Sequence, residues 1–410
     1  MRWTVNHGAV AALILAFIIP VTPMSAAEQA TGGPLTKAYN QSGQELLRTF
    51  AGQPGNIVFS PYSIGTAMAM VLSGARGETQ TEMHTVLRHS LAATDIDAAN
   101  ARVLALLDTY NAKPEASPTA TLRIANALML VNAAATVAPV FEETIRTQYG
   151  SEIFKGATLD TVNSWVKDKT EGKIAKILER LNPNDSHVLL NAVYFKAPWA
   201  IAFSPSATRD RPFTLQNGEE ANVPTMTQQG EFAIAKGEGY AAIRLPYAVD
   251  GLSMTVVRPD EVGGLDKLIA GLDGAKIEGL LQSARDAPKR MVALSMPRFK
   301  FEFEADLIEP FKSLGMSKVF DSAQSDLSGL TGKPRAEAQS TIDQIVHRAV
   351  IEVAEEGTEA AAATAVVVTT RALRPDDVER FQIDRPFLFM ITDDKTGAIL
   401  FEGRVSDPRS

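Results

Sequence analysis

Residues 355–375 have the sequence EEGTEAAAATAVVVTTRALRP. Five of the six residues 360–365 are alanine, a helix former, whereas the valines and threonines that follow favour strand. The first half of the segment therefore favours helix and the second half favours strand. Composition alone favours a flexible linker or a short surface helix capped by Thr358. Position favours a functional loop, because a long connection without firm structure between two core strands is uncommon and usually functional.

Apolar runs flank this segment on both sides. Apolar and polar residues alternate along residues 340–354, which predicts a long strand. Two apolar runs, residues 387–391 and 398–401, are joined by the sequence DDKTG at 393–397, which predicts a hairpin. Residues 291–303 also alternate, and we expect another long strand there.

The remainder of the chain mixes helical and strand patterns. Ser60 can cap a helix that begins at Pro61 and continues through residues 67–72. Helical spacing predicts further helices at residues 35–50, 79–87, 98–110, 141–149, 162–170 and 307–314. Apolar and β-branched runs predict strands at residues 122–131, 188–195, 232–235, 241–246 and 253–258. The predicted class is α+β, with antiparallel pairing in the second half.

Composition indicates one large globular domain. The chain has 410 residues, 45% hydrophobic and 21% charged, and no linker, repeat or charge block divides it. It has no cysteine, which excludes disulfides, thiol catalysis and Cys-ligated metals. No metal site and no cofactor are predicted. The sequence also lacks the Gly-x-Ser-x-Gly, His-Glu-x-x-His and P-loop motifs, so no enzymatic activity is predicted.

Residues 1–27 have the pattern of a secretory signal peptide. Arg2 precedes an apolar run at residues 10–19, and small residues follow at 25–27. The apolar run falls short of the roughly 20 residues of a membrane-spanning helix, so a permanent anchor is the weaker alternative. Removal of residues 1–27 leaves 39 basic and 48 acidic residues, a net charge of −9, which does not suggest a nucleic-acid partner. The mature protein, residues 28–410, is expected to be secreted or periplasmic, without membrane contact.

Several motifs resemble those of the serpin family of serine protease inhibitors. The EEGTE sequence at 355–359, followed by small residues and Thr364, is similar to the reactive-loop hinge of inhibitory serpins. Residues 381 and 385–389 resemble the segment that follows the loop. Other stretches resemble further serpin motifs in the same order: residues 56–63, 191–196 with Trp199, 296–299, 315–316 and 320–321. The resemblance spans nearly the whole mature chain.

The resemblance implies a fold and a set of site residues. Helices should surround a large mixed central β-sheet and smaller sheets, with an exposed reactive loop at about residues 355–380. The cleaved loop should enter the main sheet from Thr358 onward, with small or apolar side chains on one face and Glu359 on the other. The hinge residues are Glu355, Gly357, Thr358, Ala360, Ala362 and Thr364. The shutter and breach residues are Asn56, Ser60, Ser63, Asn191, Trp199 and His347; for Trp199 and His347, plain core packing is the alternative.

Counting from Glu355 as the family does identifies Arg371 as the bait residue, with Ala372 on the leaving side. An arginine there predicts a trypsin-like target, since a guanidinium can pair with the buried aspartate of such a protease's specificity pocket. Arg374 is the rival bait, although Pro375 follows it. The predicted function is irreversible, suicide-substrate inhibition of a trypsin-like serine protease through a covalent complex. The alternative is a noninhibitory serpin acting as a carrier or chaperone.

Two further expectations concern partners. Residues 88–110 contain only Arg88 and Arg102 as permanently cationic residues, so no polyanion cofactor is expected. The protein is expected to be a monomer.

Overall fold

The structure is a computed structural model, and it describes residues 33–111, 119–337, 339–358 and 378–409. The predicted signal peptide lies outside these residues. The described helices are α1 (Gly33–Phe50), α2 (Pro61–Gly74), α3 (Gly77–Val86), α4 (Ala93–Asp108), α5 (Pro139–Tyr149), α6 (Leu159–Lys169), α7 (Leu265–Gly271), α8 (Gly274–Asp286), α9 (Ile308–Ser313) and α10 (Ser328–Thr331). No helix among the described residues is long and apolar enough to cross a bilayer.

The strands belong to two sheets. They are β1 (Ile57–Phe59), β2 (Thr121–Leu130), β3 (Glu152–Lys155), β4 (His187–Pro198), β5 (Arg209–Thr214), β6 (Glu220–Gly237), β7 (Tyr240–Pro246), β8 (Leu252–Pro259), β9 (Lys289–Pro297), β10 (Phe299–Asp306), β11 (Ile342–Ala354), β12 (Gly357–Thr358), β13 (Glu379–Gln382), β14 (Phe387–Asp393) and β15 (Ile399–Val405). The predicted α+β class and single domain are confirmed.

The six-stranded sheet is mixed and has the order β10-β11-β12-β4-β2-β3. Strands β4 and β11 also pair directly with each other, in parallel, along part of their length. The nine-stranded sheet has the order β1-β15-β14-β8-β7-β6-β9-β13, with β5 paired to β6. The predicted C-terminal hairpin is its β14–β15 pair.

Helix α2 lies at the centre of the molecule. It contacts β2 and β4 of the six-stranded sheet and β15 of the nine-stranded sheet. Every residue of α2 except Ser73 is buried, as expected for a helix that is apolar on all sides. The predicted cap is confirmed, because the Ser60 hydroxyl accepts a hydrogen bond from the Ser63 amide over 3.0 Å. The cap fixes where α2 begins, directly beneath the six-stranded sheet.

The prediction of one long strand over residues 291–303 is wrong. Strand β9 ends at Pro297 in the nine-stranded sheet, and β10 begins at Phe299 in the six-stranded sheet. The Arg298 amide between them donates to the Pro224 carbonyl of β6 over 2.9 Å, which is the last contact of the β6–β9 ladder before the chain crosses to the other sheet. An alternating pattern cannot show this change, because both halves place alternate side chains in a core.

Candidate functional site

The site is the gap between strands β4 and β11. Direct pairing of the two strands runs from Ile342 opposite His187 to Ala349 opposite Val193. Beyond those residues, the strands separate and admit β12 between them. The sheet is therefore closed at one end of this strand pair and open at the other.

Strand β12 occupies the open end. Gly357 and Thr358 pair antiparallel with Ala354 and Val353 of β11 on one side and with β4 on the other. A Cβ atom at position 357 would overlap the carbonyl oxygen of Ala197 in β4, so only glycine fits. The glycine in the EEGTE sequence therefore permits a close approach of backbones inside the sheet.

This arrangement corrects one expectation. The loop was expected to enter the sheet from Thr358 onward only after cleavage, but Gly357 and Thr358 are already paired in the intact chain. The physical reason lies in residues beneath β12 that satisfy the Thr358 side chain. Tyr247 and Thr358 share a buried hydroxyl–hydroxyl hydrogen bond of 2.6 Å.

Trp199 has a role beyond core filling. Its ring stacks on Tyr247 with centroids 4.6 Å apart and planes 8° from parallel. The Trp199 indole N–H donates to the carbonyl of Ala354 over 3.0 Å, and its amide donates to the carbonyl of Glu356 over 2.9 Å. Trp199 thus holds the backbone on both sides of the turn between β11 and β12.

Glu355, at the first hinge position, is buried and held on three sides. Its carboxylate accepts a hydrogen bond of 2.6 Å from the Thr208 hydroxyl and lies 3.6 Å from the Arg298 guanidinium. Its carbonyl accepts from the Phe203 amide over 2.8 Å. A buried carboxylate requires such partners, and their loss would free the hinge.

A row of polar side chains crosses the closed end; we call Ser63, Asn126, Asn191 and His347 the shutter cluster. Asn191 pairs in register with Asn126 of β2 and with His347 of β11, so the three lie side by side across three strands. The Asn191 amide N–H₂ faces the Asn126 carbonyl and the Ser63 hydroxyl, the latter at 2.6 Å. The cluster therefore links β2, β4 and β11 to α2 underneath.

The His347 ring is neutral and its tautomer is fixed. Its Nδ1 contacts the Asn191 carbonyl oxygen, which can only accept, so Nδ1 carries the proton. The Nε2 atom is buried and has no hydrogen-bond partner among the described residues. Burial lowers the pKa of His347 to about 3. Separating β4 from β11 would remove the one hydrogen bond that this ring makes here.

The predicted shutter residues do not all meet. Ser60 is the N-cap of α2 and bonds to the Ser63 amide. Asn56, by contrast, bonds to the C-terminal segment of the chain. The Asn56 carbonyl accepts from the amides of Ser406 and Asp407, and its N–H₂ donates to the Asp407 carbonyl. These hydrogen bonds of Asn56 therefore join it to the segment that follows β15, and none of them joins it to β4 or β11, where it was expected.

Other predicted residues lie outside the described ranges: Arg371, Ala372, Ala360, Ala362, Thr364 and the rival Arg374. Conversely, sequence reasoning missed Asn126, Tyr247 and Thr208. The available signal for Asn126 was a single amide in the apolar run of residues 124–130. Tyr247 directly follows β7 and Thr208 follows a short 3₁₀ helix, and neither position carries a signal of its own.

The described residues therefore define an α+β protein with a mixed sheet that is closed at one end and holds Gly357 and Thr358 between two strands at the other. The model of the family "Serpin (serine protease inhibitor)" matches residues 37–408, so the chain belongs to the serpin family.

Known members show how far the likeness extends. The chain is 35% identical to an uncharacterized serpin-like protein of Thermococcus kodakarensis, covering 95% of this chain and 90% of that protein. It is 34% identical to the leukocyte elastase inhibitor of Homo sapiens, covering 86% and 93%. The crystal structure of tengpin, a thermophilic serpin, in the native state superposes with a TM-score of 0.82 at 27% identity, covering 95% and 96%. Serpins are generally protease inhibitors rather than enzymes.

Proposed function

We propose that this serpin irreversibly inhibits a trypsin-like serine protease and that Arg371 is its bait. The observation that carries the proposal is strand β12. A loop whose first two residues already lie between β4 and β11 has a defined path along which the rest can follow. Insertion of that kind requires a gap between the two strands, and the described site has such a gap at its open end.

The register of β12 supports the proposal in detail. Thr358 lies opposite Val353 and Ala197. Continuing the antiparallel pairing by six residues would bring Thr364 between His347 and Asn191. These two residues form the hydrogen bond that must break when the strands separate. A threonine hydroxyl can donate and accept, so Thr364 could take up both partners without leaving either buried group unsatisfied.

Continuing the β12 register also shows which neighbours the side chains on each face of the inserted strand would meet. Ala360 would lie beside Ile351 and Phe195, and Ala362 would lie on the same, buried face. Glu359 would point to the opposite face between Lys196 and Glu352, which are both partly exposed, and Lys300 already pairs with the Glu352 carboxylate. The sequence therefore suits the neighbours that each residue would meet.

The chemistry proposed at Arg371 is acyl transfer. The target's serine hydroxyl attacks the Arg371 carbonyl, the peptide bond to Ala372 breaks, and the Ala372 amine leaves with a proton. Arg371 then remains as an ester on the protease. Insertion of residues 358–371, at about 3.3 Å per residue, would carry the protease on the order of 45 Å and distort its active site before water completes the reaction.

Three further proposals accompany this function. The chain is exported after loss of residues 1–27, acts as a monomer, and requires no polyanion. The bait distinguishes its target from that of the relative named as an elastase inhibitor, since Arg371 suits an acidic specificity pocket.

The test mixes the mature protein with trypsin and with elastase. We expect an adduct with trypsin that survives SDS, together with a released peptide that begins at Ala372. Arg371→Ala should abolish the adduct with trypsin, whereas the matched control Arg374→Ala should retain it. Complete cleavage by trypsin without any adduct would contradict the proposal.

A noninhibitory carrier is the second candidate. The observation that favours it is a cavity of about 460 Å³ between α1 and α8, lined by Thr36, Asn40, Ile277 and Leu281 among others. A carrier would be cleaved at its loop without forming an adduct, so the same gel separates the two candidates.

A further inference from the structure

The end of helix α3 has a backbone that brings two histidines together. The Arg88 amide donates to the Thr85 carbonyl and the His89 amide to the His84 carbonyl, each over 3.1 Å. These are the two hydrogen bonds of a Schellman motif. Arg88 has a φ of 59°, a left-handed conformation in which glycine is usual. The chain therefore turns back, so that residue 89 lies over residue 84.

In a Schellman motif, the residues at these two positions usually make an apolar contact. Here both are imidazoles, and their ring centroids are 5.8 Å apart. Tyr39 of α1 packs edge-on against the His89 ring at 5.6 Å. Two histidines therefore meet where packing alone would favour aliphatic side chains.

The His84 ring has its tautomer fixed. Its Nε2 lies 2.7 Å from the carbonyl oxygen of Leu91, which can only accept, so Nε2 donates and Nδ1 keeps a free lone pair. Metal-binding histidines commonly have this arrangement, in which one ring nitrogen donates to a carbonyl while the other binds the ion.

The His89 ring is the unexplained group. It is only 8% exposed, and neither Nδ1 nor Nε2 has a hydrogen-bond partner among the described residues. Buried polar groups normally have a hydrogen-bond partner or bind an ion, so the two nitrogens of His89 are candidate ligands.

We propose that His84 and His89 bind one divalent transition-metal ion, with Zn²⁺ as the reference ion, and that water completes its coordination. Two imidazoles bound tetrahedrally to one zinc, with Zn–N bonds of 2.0–2.1 Å, place their ring centroids about 5 Å apart. The observed separation of 5.8 Å is slightly wider, so a small movement of the rings toward each other would bring them to that spacing. Groups of three or more His, Cys, Asp or Glu side chains that could hold an ion are absent from the described ranges, so the protein supplies two ligands only.

The surroundings favour a neutral ligand and a cation. Burial, and to a smaller extent the neighbouring His84, lower the pKa of His89 to about 3, so the ring is unprotonated at neutral pH, as a ligand must be. The carbonyl end of α3 attracts positive charge. The nearest ion pair, Arg88 with Glu45, is internally neutralised. The cavity between α1 and α8 extends to Ser90, the residue next to His89.

Imidazole ligands select the class of ion. Hard cations such as Mg²⁺ prefer oxygen ligands, whereas Zn²⁺, Ni²⁺ and Cu²⁺ bind imidazole well. Binding would join the end of α3 to the connection that leads into α4, and it would stabilise the native form by mass action.

The test uses mature protein without a polyhistidine tag. Equilibrium dialysis against Zn²⁺, followed by elemental analysis, should give one bound ion per chain. Zinc at about 100-fold above its dissociation constant should raise the unfolding midpoint by several degrees, whereas Mg²⁺ should not. A parent protein that retains no zinc, or a midpoint that does not respond, overturns the proposal.

Three variants separate binding from folding. His89→Phe keeps a ring against Tyr39 and buries no unpartnered nitrogen, so it should be at least as stable as the parent without zinc, yet lose the zinc response. His84→Gln should lose the response independently. The matched control Arg88→Gly keeps both imidazoles and the turn, and it should keep the response. Unchanged zinc binding in His89→Phe would place the ion elsewhere and refute the assignment.

Discussion

The two ends of the β4–β11 pair are held by different means. At the closed end, backbone pairing is direct and a polar row ties three strands to α2. At the open end, no direct pairing remains, and the strands are bridged by Gly357 and Thr358 of β12. One end is held by the sheet itself and the other by two residues of the loop.

The difference shows where resistance to opening lies. At the open end, Gly357 and Thr358 pair with two residues of each neighbour, and further separation there breaks no direct pairing between β4 and β11. At the closed end, separation must break ladder hydrogen bonds and the contact of His347 with Asn191 together. The closed end should therefore govern stability and the open end should govern where insertion begins.

The largest effect is expected from Thr364→Arg. The proposed register would bring a cation between His347 and Asn191, where burial of an unpaired charge is prohibitive. The variant should still be cleaved by trypsin but should form essentially no SDS-stable adduct. The control Glu359→Gln, on the opposite face, should keep the adduct. Equal adduct yields for Thr364→Arg and the parent would rule out insertion along this path.

The second prediction concerns pH at the closed end. The pKa of His347 is about 3 in the folded protein and near 6.5 when unfolded, so the unfolded chain binds the extra proton first. The stability from its neutral form is complete above pH 6.5 and is lost as the pH falls toward 3, by up to about 1.4 kcal/mol per pH unit.

Other buried groups also titrate in this pH range, so the effect of His347 must be measured as the difference between the parent and a variant without this histidine. His89 also has a pKa lowered to about 3, whereas burial raises the pKa of Glu402 to about 8, which acts in the opposite direction. The free energy of unfolding should therefore be compared between parent and His347→Leu at pH 6.5 and 4.5. The parent should lose more over this interval; equal losses would show that His347 titrates normally.

A third, smaller effect is expected from His347→Leu at neutral pH. The variant leaves the Asn191 carbonyl without its donor in a buried site, at a cost of about 1–3 kcal/mol. Chemical denaturation should show this loss as a lower midpoint. The control Gln344→Ala, partly exposed on the same strand, should change stability much less. An unchanged denaturation midpoint in His347→Leu would mean that the closed end is held by backbone pairing alone.

The smallest effect is expected at the open end, from Tyr247→Phe. This variant removes the hydrogen bond to the Thr358 hydroxyl while keeping the ring against Trp199, at a cost of about 1 kcal/mol. Amide exchange at Thr358 should become faster while exchange at His347 stays unchanged. The control Tyr240→Phe, half-exposed in β7, should alter neither rate. Faster exchange at both ends would mean that the two ends are not independent.

Much of the fold was predictable because local signals agreed with tertiary ones. Three patterns are each compatible with one local structure only: the cap at Ser60, the apolar hairpin of β14 and β15, and the alternation along β11. At the hinge, the fit of Gly357 between two backbones agrees with the glycine in the EEGTE sequence, whereas the roles of Ala360, Ala362 and Thr364 stay a prediction.

The rest depended on register and on sheet membership, which one sequence does not contain. Residues 291–303 alternate throughout, yet they serve two sheets because the chain turns at Arg298. Asn126 acquires a role only when β2 is aligned with β4. Asn56 belongs to the chain terminus because Ser406 and Asp407 happen to return to it.

Strand β12 also has a kinetic consequence. The slowest part of adding a strand to a sheet is nucleation, in which a free segment must find its place against the entropy of closing a loop. Gly357 and Thr358 already lie in place between the two strands. Under the proposed mechanism, insertion after cleavage would then require propagation only, residue by residue from this fixed origin, and would compete better with deacylation.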